Sequence, residues 1–460
     1  MPTNIYHRFT NTERASLNSM NTKLPYYLAN AKPRAQNERT PWYTNIAPAY
    51  AAIFLWFVFW QDIVNSGTVG GALACGLWLP IISLIAVAGI SYALFYLVPA
   101  SFGMKSGYGL TVVGSSIFGR TGGIVMPGLL MGLLQFGWLA VNIYFASKLI
   151  CGVLTFIPLW LMIVIEGVLS TFIGLKGIKY VAKVSTYLPI IPLAILAILL
   201  FSTAGSLGDF NESIFVGDKK ATPLSAIGFI TCYVIGFFAT AGAAGTDFGT
   251  NARGMSDVRR GGIFGIFLAI VLTAGASILI VAGAYGNPET AKAMLEAGTP
   301  MNATEVMNFV MGSKIGGIMM MLLAVAAFPS ACFASVIASD SFKTSMPKVN
   351  ANLSVSFGGA VATILALSGV AGKAAAVFAF IGASFVPIVG AMCAEYIIAK
   401  GDWKASGENF NKSGWLAWAI GFVVGVMPNF GVAIPFAPLV AWAIGFAIYF
   451  VSEKVSRRHI

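Results

Sequence analysis

The sequence predicts an all-α polytopic membrane protein of twelve transmembrane helices, and three observations carry that prediction. Of the 460 residues, 57% are hydrophobic and only 10% charged, with a mean hydropathy of +0.81; a soluble domain carries about 25% charge. Apolar windows of roughly 20 residues, the length that crosses bilayer hydrocarbon, recur along the whole chain. Only six of the 28 Lys and Arg residues (Lys148, Lys219, Lys220, Lys292, Lys314 and Lys373) fall on one side of the resulting topology. That asymmetry marks the other side as cytoplasmic.

The spans are expected near 46–77, 78–101, 124–148, 152–174, 180–204, 224–248, 261–286, 312–339, 353–371, 374–399, 414–428 and 434–452. An even number of spans places both termini in the cytoplasm of a cell bounded by this membrane. Residues 1–42 form a polar N-terminal tail without the apolar core of a cleavable leader. The net charge of +11 orients the chain and does not call for a nucleic-acid partner. Cys75, Cys151, Cys232, Cys332 and Cys393 lie in or beside spans without paired spacing, so they read as small buried hydrophobes. His7 and His459 sit at the extreme ends, which excludes a histidine relay or histidine metal site inside the membrane. P-loop, H-E-x-x-H and G-x-S-x-G patterns are missing from the sequence. No enzyme activity, no cofactor and no metal beyond a sodium ion is expected.

Two spans are too rich in glycine and polar residues to be plain helices. The first contains FWQDIVNSGTVGG, which brings Gln61, Asp62, Asn65 and Ser66 to membrane depth; the sixth contains VIGFFATAGAAGTDFGTNAR. Irregular backbone within a membrane occurs only where it is buried in protein or lines a cavity. Two such breaks five spans apart point to an inverted-repeat transporter with its site at the breaks. The repeats are expected at 43–204 and 205–400, with two extra helices and a C-terminal tail at 401–460. The alternative is that these glycines only allow close helix packing.

Candidate site residues follow from cost: each polar group at membrane depth needs a role. In GLLQFGWLAVN, Gln135, Trp138 and Asn142 share one helical face. A carboxamide beside an indole suits a flat, neutral heterocycle with amide-like edges. Phe237, Phe238 and Thr240 are expected at the break of span 6, one ring facing Trp138. Asp62, with Gln61 beside it, is an ionisable group in the first break and the candidate for a coupling cation. Glu166 in span 4 is a second carboxylate with Lys148 a candidate partner across the short span 3–4 turn, though a structural or snorkelling role is favoured for both. Asp247 and Arg253 read as a gate or structural ion pair at the cytoplasmic end of span 6. In AAFPSACFASVIASDSF, Ser330 is an available hydroxyl beside Pro329, and in FVPIVGAMCAEY, Pro387 and Gly390 permit a bend.

At these residues the chain resembles the nucleobase–cation symporter family that includes the purine–cytosine permeases and hydantoin transporters. GMKSGYGLTVVGSSIFGRTGG, LLQFGW, FFATAG…TDFGTNAR and FVPIVGAMCAEY resemble family segments in the right order, over roughly residues 40 to 452. The resemblance implies a five-plus-five inverted-repeat (LeuT-type) fold with two extra helices, working by alternating access. It implies that Trp138 and Phe238 stack on the substrate while Gln135 and Thr240 read its edges. The sequence departs from the family in span 8, where a polar run with asparagine is usual and Ala327, Phe328, Pro329 and Ser330 stand here. The asparagine contact is lost or replaced by Ser330, and the usual sodium-site hydroxyls are missing. The expected activity is therefore import of a small planar nitrogenous heterocycle, such as cytosine or a related nucleobase, by a monomer bathed in membrane lipid. The coupling cation is sodium or a proton. A symporter for an amino acid or other amine, or a non-transporting membrane sensor, is the alternative.

Overall fold

The computed structural model describes residues 24–45, 71–176, 187–188, 190–215, 222–296 and 303–456. The expected first span lies largely outside them, and with it Gln61, Asp62, Asn65 and Ser66; so do His7, His459, Lys219 and Lys220. Among the described residues, nine helices are long and apolar enough to cross a membrane, and Leu159–Leu175 and Ala351–Leu367 are shorter apolar helices. The chain is an all-α, multi-pass membrane protein.

The helices are α1 (Trp78–Ser106, passing through a π turn at Ser91–Leu97), α2 (Leu110–Phe118), α3 (Ile124–Val153) and α4 (Leu159–Lys176). They continue as α5 (Ile190–Thr203), α6 (Pro223–Ala243), α7 (Gly245–Thr250), α8 (Met255–Gly286) and α9 (Ala303–Ser345). The chain finishes with α10 (Ala351–Leu367), α11 (Ala374–Ile398), α12 (Lys412–Val426) and α13 (Ala437–Ser456). Local signals explain several ends. α6 opens on Pro223 behind a Thr222–Ser225 capping box, which satisfies two otherwise orphaned groups. Asn350 and Asn411 cap α10 and α12 through their side chains. α9 is bent at Gly312, whose φ of 76° lies in the left-handed region that glycine adopts without strain.

Two helix groups result. α3, α4, α9 and α10 pack on one another, while α11 packs on α6 and carries α12 and α13 on its other side. The N-terminal segment is strapped across helix ends at one side of the bundle: Thr40 N–H donates to the Asn251 carbonyl at 2.8 Å, and Arg39 donates to the Met104 carbonyl at 2.9 Å. Residues of the N-terminal tail are thus held against the helix bundle. The five cysteines are free thiols, Cys332 and Cys393 buried and the other three half-buried.

Candidate functional site

α3 carries its polar face inward. Gln135, Trp138 and Asn142 are all buried, at 6%, 8% and 2% exposure. The Gln135 amide donates only to the Met131 thioether, at 3.5 Å. Sulfur is a weak acceptor, so this carboxamide is almost wholly buried yet barely engaged. Asn142 is turned differently: its amide donates to the Trp138 carbonyl at 2.7 Å, and its Oδ1 has no partner.

The rings around Trp138 include one that the sequence did not point to. Its indole stacks on Phe378 of α11, with centroids 5.0 Å apart and planes at 29°, and meets Phe237 of α6 edge-on at 5.2 Å and 86°. Phe238 tilts against Phe237 at 5.1 Å. Tyr233 also meets Phe378 edge-on, at 5.3 Å. Phe378 was missed in the sequence because its ring sits in KAAAVFAFIGAS, a run that reads as any apolar span. The packing that admits it is backbone on backbone: a methyl on Gly382 would lie 2.9 Å from Gly236 Cα, and one on Gly236 would lie 2.7 Å from the Phe378 carbonyl. α6 and α11 meet here only because both residues lack a side chain.

The break in span 6 also falls later than expected. α6 runs unbroken through Phe237, Phe238 and Thr240, and the helix is interrupted at Ala244, between α6 and α7. Gly236 and Gly242 instead serve close packing, the latter against Phe95 of α1. Thr240 is buried, one turn before the interruption. Ser330 is half-buried on α9, where Pro329 is accommodated inside the helix.

Three further expectations are corrected. Arg253 pairs with Asp257 at 2.9 Å rather than with Asp247, because the i,i+4 spacing on α8 and its N-terminal approach brings those groups together. Asp247 Oδ1 instead accepts the Leu110 N–H at 3.0 Å, placing an acid at the N-terminus of α2, where it complements the helix dipole. Glu166 is buried and makes no ion pair with Lys148, which stays half-buried at the far end of α3. Pro387 lies inside α11, enclosed by neighbouring helices. A methyl on Gly421 of α12 would lie 2.7 Å from Pro387 Cβ, and one on Gly445 of α13 would lie 2.8 Å from Pro387 Cα. The two extra helices clasp it.

An apolar groove of about 1060 Å³ runs along the opposite side of α3, lined by residues that include Leu133, Gly137, Ala140, Val361, Val377 and Phe380. Its surface suits hydrocarbon, not a polar heterocycle. Among the described residues, no three His, Cys, Asp or Glu side chains gather as metal ligands.

Comparison with solved structures fits this architecture. The chain is similar to the inward-facing conformation of Mhp1, with a TM-score of 0.70, 15% identity and 93% of each chain covered. It is also similar to the closed conformation of Mhp1, a nucleobase-cation-symport-1 family transporter with bromovinylhydantoin bound, at a TM-score of 0.62 and 16% identity, covering 93% of this chain and 94% of that one. A Na+-coupled sialic acid symporter in a substrate-bound, outward-open state matches at 0.58 and 16% identity, covering 95% and 94%. Neither a protein-family model nor a curated protein matches the sequence. The fold is the LeuT type. The expected fold class stands.

Proposed function

We propose that this chain is a secondary active transporter of the nucleobase–cation symporter kind, importing a small planar nitrogenous heterocycle such as cytosine or a related nucleobase. The observation that carries the reading is the barely engaged Gln135 carboxamide beside the Trp138–Phe378–Phe237 ring cluster. A flat base offers π faces to such rings and amide-like edges to such a carboxamide. Trp138 and the span-6 rings Phe237 and Phe238 supply stacking; Gln135, Thr240 and, as a lesser contact, Ser330 read the edges. The Asn142 Oδ1, buried without a donor, is a further acceptor at the same wall. The LeuT-type fold supports alternating access between repeats at 43–204 and 205–400, in the cytoplasmic membrane with both termini inside. A coupling cation, sodium or a proton, drives accumulation, with Asp62 and Gln61 as candidates in the first span.

The test is a thermal-shift and binding screen of nucleobases, hydantoins and amino acids, with and without sodium, on wild type and Trp138→Ala. A nucleobase is expected to stabilise the wild type, and Trp138→Ala to weaken its binding about 5- to 150-fold, the range of ~1–3 kcal/mol for aromatic–base stacking. Base binding that survives the substitution sinks the stacking role. Binding of zwitterionic amino acids in preference to bases replaces this reading with the amine symporter.

A further inference from the structure

Glu166 is the one acid in α4, and its placement is unusual. The buried face of α4 repeats at Ile163, Glu166, Gly167, Ser170, Thr171 and Gly174. Gly167 faces Thr363 of α10, Thr171 faces Gly359 of α10, and a methyl on Gly174 would lie 2.7 Å from the Cys332 carbonyl of α9 and 2.8 Å from Ser335 Cβ. The face is wedged into the groove between α9 and α10, and Glu166 lies in it at 7% exposure. The pairing order makes α4 antiparallel to α10 and therefore parallel to α9. Two turns outward from Gly174, Glu166 runs alongside the Ala324–Ala327 stretch of α9, which offers no cation.

Among the described residues, no cation pairs with the carboxylate. Ser170 donates to the Glu166 backbone carbonyl at 2.6 Å, not to its side chain. Among the described residues, three helices pack against α4: α3, α9 and α10. α10 has no titratable residue. α9 has Cys332 in the shared interface, while Lys314, Asp340 and Lys343 lie towards its ends and the last two pair at 3.6 Å. α3 has Tyr144, packed on Gly372, and Lys148 and Cys151 at its outer end. An ion in that setting is costly, and the neutral acid is the form that fits. A second observation points the same way. Ser335 Oγ, Thr171 Oγ1, Ser147 Oγ and Asn142 Oδ1 are all buried without partners in this same four-helix block. Such orphaned groups are rare in a finished interior and provide stations for a proton or a bridging water.

We propose that Glu166 carries the proton that drives transport. This rests on the transporter reading above and names its coupling ion. With α4, α9 and α10 closed on it, the carboxyl is neutral. When α9 moves and water enters the groove, the O–H bond breaks, the proton passes to water on the cytoplasmic side and the carboxylate remains. Protonation from the outer side restores the acid and the closed packing, one proton per cycle.

The full chain in proteoliposomes tests this with tritiated cytosine, a pH gradient and no sodium. One proton per cycle supports about tenfold accumulation per pH unit. Wild type should reach that order, whereas Glu166→Gln should show none, yet still exchange labelled for unlabelled cytosine across the membrane. A substrate-independent readout is the infrared difference spectrum of wild type against Glu166→Gln at neutral pH, which should contain one protonated-carboxyl C=O band. Accumulation by Glu166→Gln under the pH gradient overturns the proposal, as does a missing carboxyl band. If the band is present and wild type ignores cytosine, the substrate assignment falls and the protonated Glu166 stands.

Discussion

The two walls proposed for the site are built from different materials. The α3 side brings an indole, a carboxamide and, from α6 and α11, a mesh of rings; every one is buried, and the rings hold one another while the carboxamide is barely engaged. The α9 side at 326–331 is alanine, phenylalanine and proline with a single half-buried serine. A wall of rings recognises shape and π surface, and it does so at little entropic cost because the rings are already packed. A wall with one hydroxyl among apolar side chains offers a polar edge almost nothing to bond. Specificity in this protein is therefore expected to be lopsided, set by α3, α6 and α11 and barely touched by α9.

The largest effect should come from the ring that holds the others. Phe378 is fully buried and contacts Trp138, Phe237 and Tyr233. Phe378→Ala should cost about 3–5 kcal/mol, read as a marked drop in the apparent melting temperature of purified protein. It should also let the Trp138 indole turn and weaken ligand binding. A variant that melts with the wild type would show that the ring wall is not the rigid side of the comparison.

Gln135→Leu comes next and separates recognition from stability. The side chain gives up one hydrogen bond to a thioether, so the fold should lose less than about 1 kcal/mol. Binding of an amide-edged base should fall about 5- to 150-fold, the loss of two hydrogen bonds of roughly 0.5–1.5 kcal/mol each. Isothermal titration and a melting curve on the same sample separate the two numbers. Equal losses in both would make Gln135 a piece of helix glue.

Much of this was legible in the sequence, and the division has a physical cause. Hydropathy and charge bias are properties of a segment by itself, so the spans and the polar face at Gln135, Trp138 and Asn142 could be read directly. The partner of Trp138 could not. Phe378 reaches it because Gly236 and Gly382 let two distant backbones meet, and a sequence does not say which glycine faces which. The same holds for Arg253, whose true partner Asp257 sits four residues on, and for Asp247, which caps a helix from another part of the chain. Glu166 was visible as an acid in a span, but its isolation from Lys148 appears only once α9 and α10 are packed against it.

The smallest effect decides whether the α9 wall is as blank as it looks. Ser330 follows Pro329, which has no N–H to give the Val325 carbonyl one turn back, so this turn of α9 is the natural place for a contact if that wall makes one. A hydroxyl that reads a substrate edge contributes roughly 0.5–1.5 kcal/mol. A half-buried hydroxyl that only meets water contributes next to nothing. Ser330→Ala is expected to change base affinity by less than about threefold, well under the effect at Gln135. Ser330→Asn, which lengthens the side chain and presents two donors in place of one, should tighten binding of a base carrying an acceptor on that edge. Losing as much affinity at Ser330→Ala as at Gln135→Leu would mean that the two walls share recognition. The asymmetry would then be one of composition and not of function.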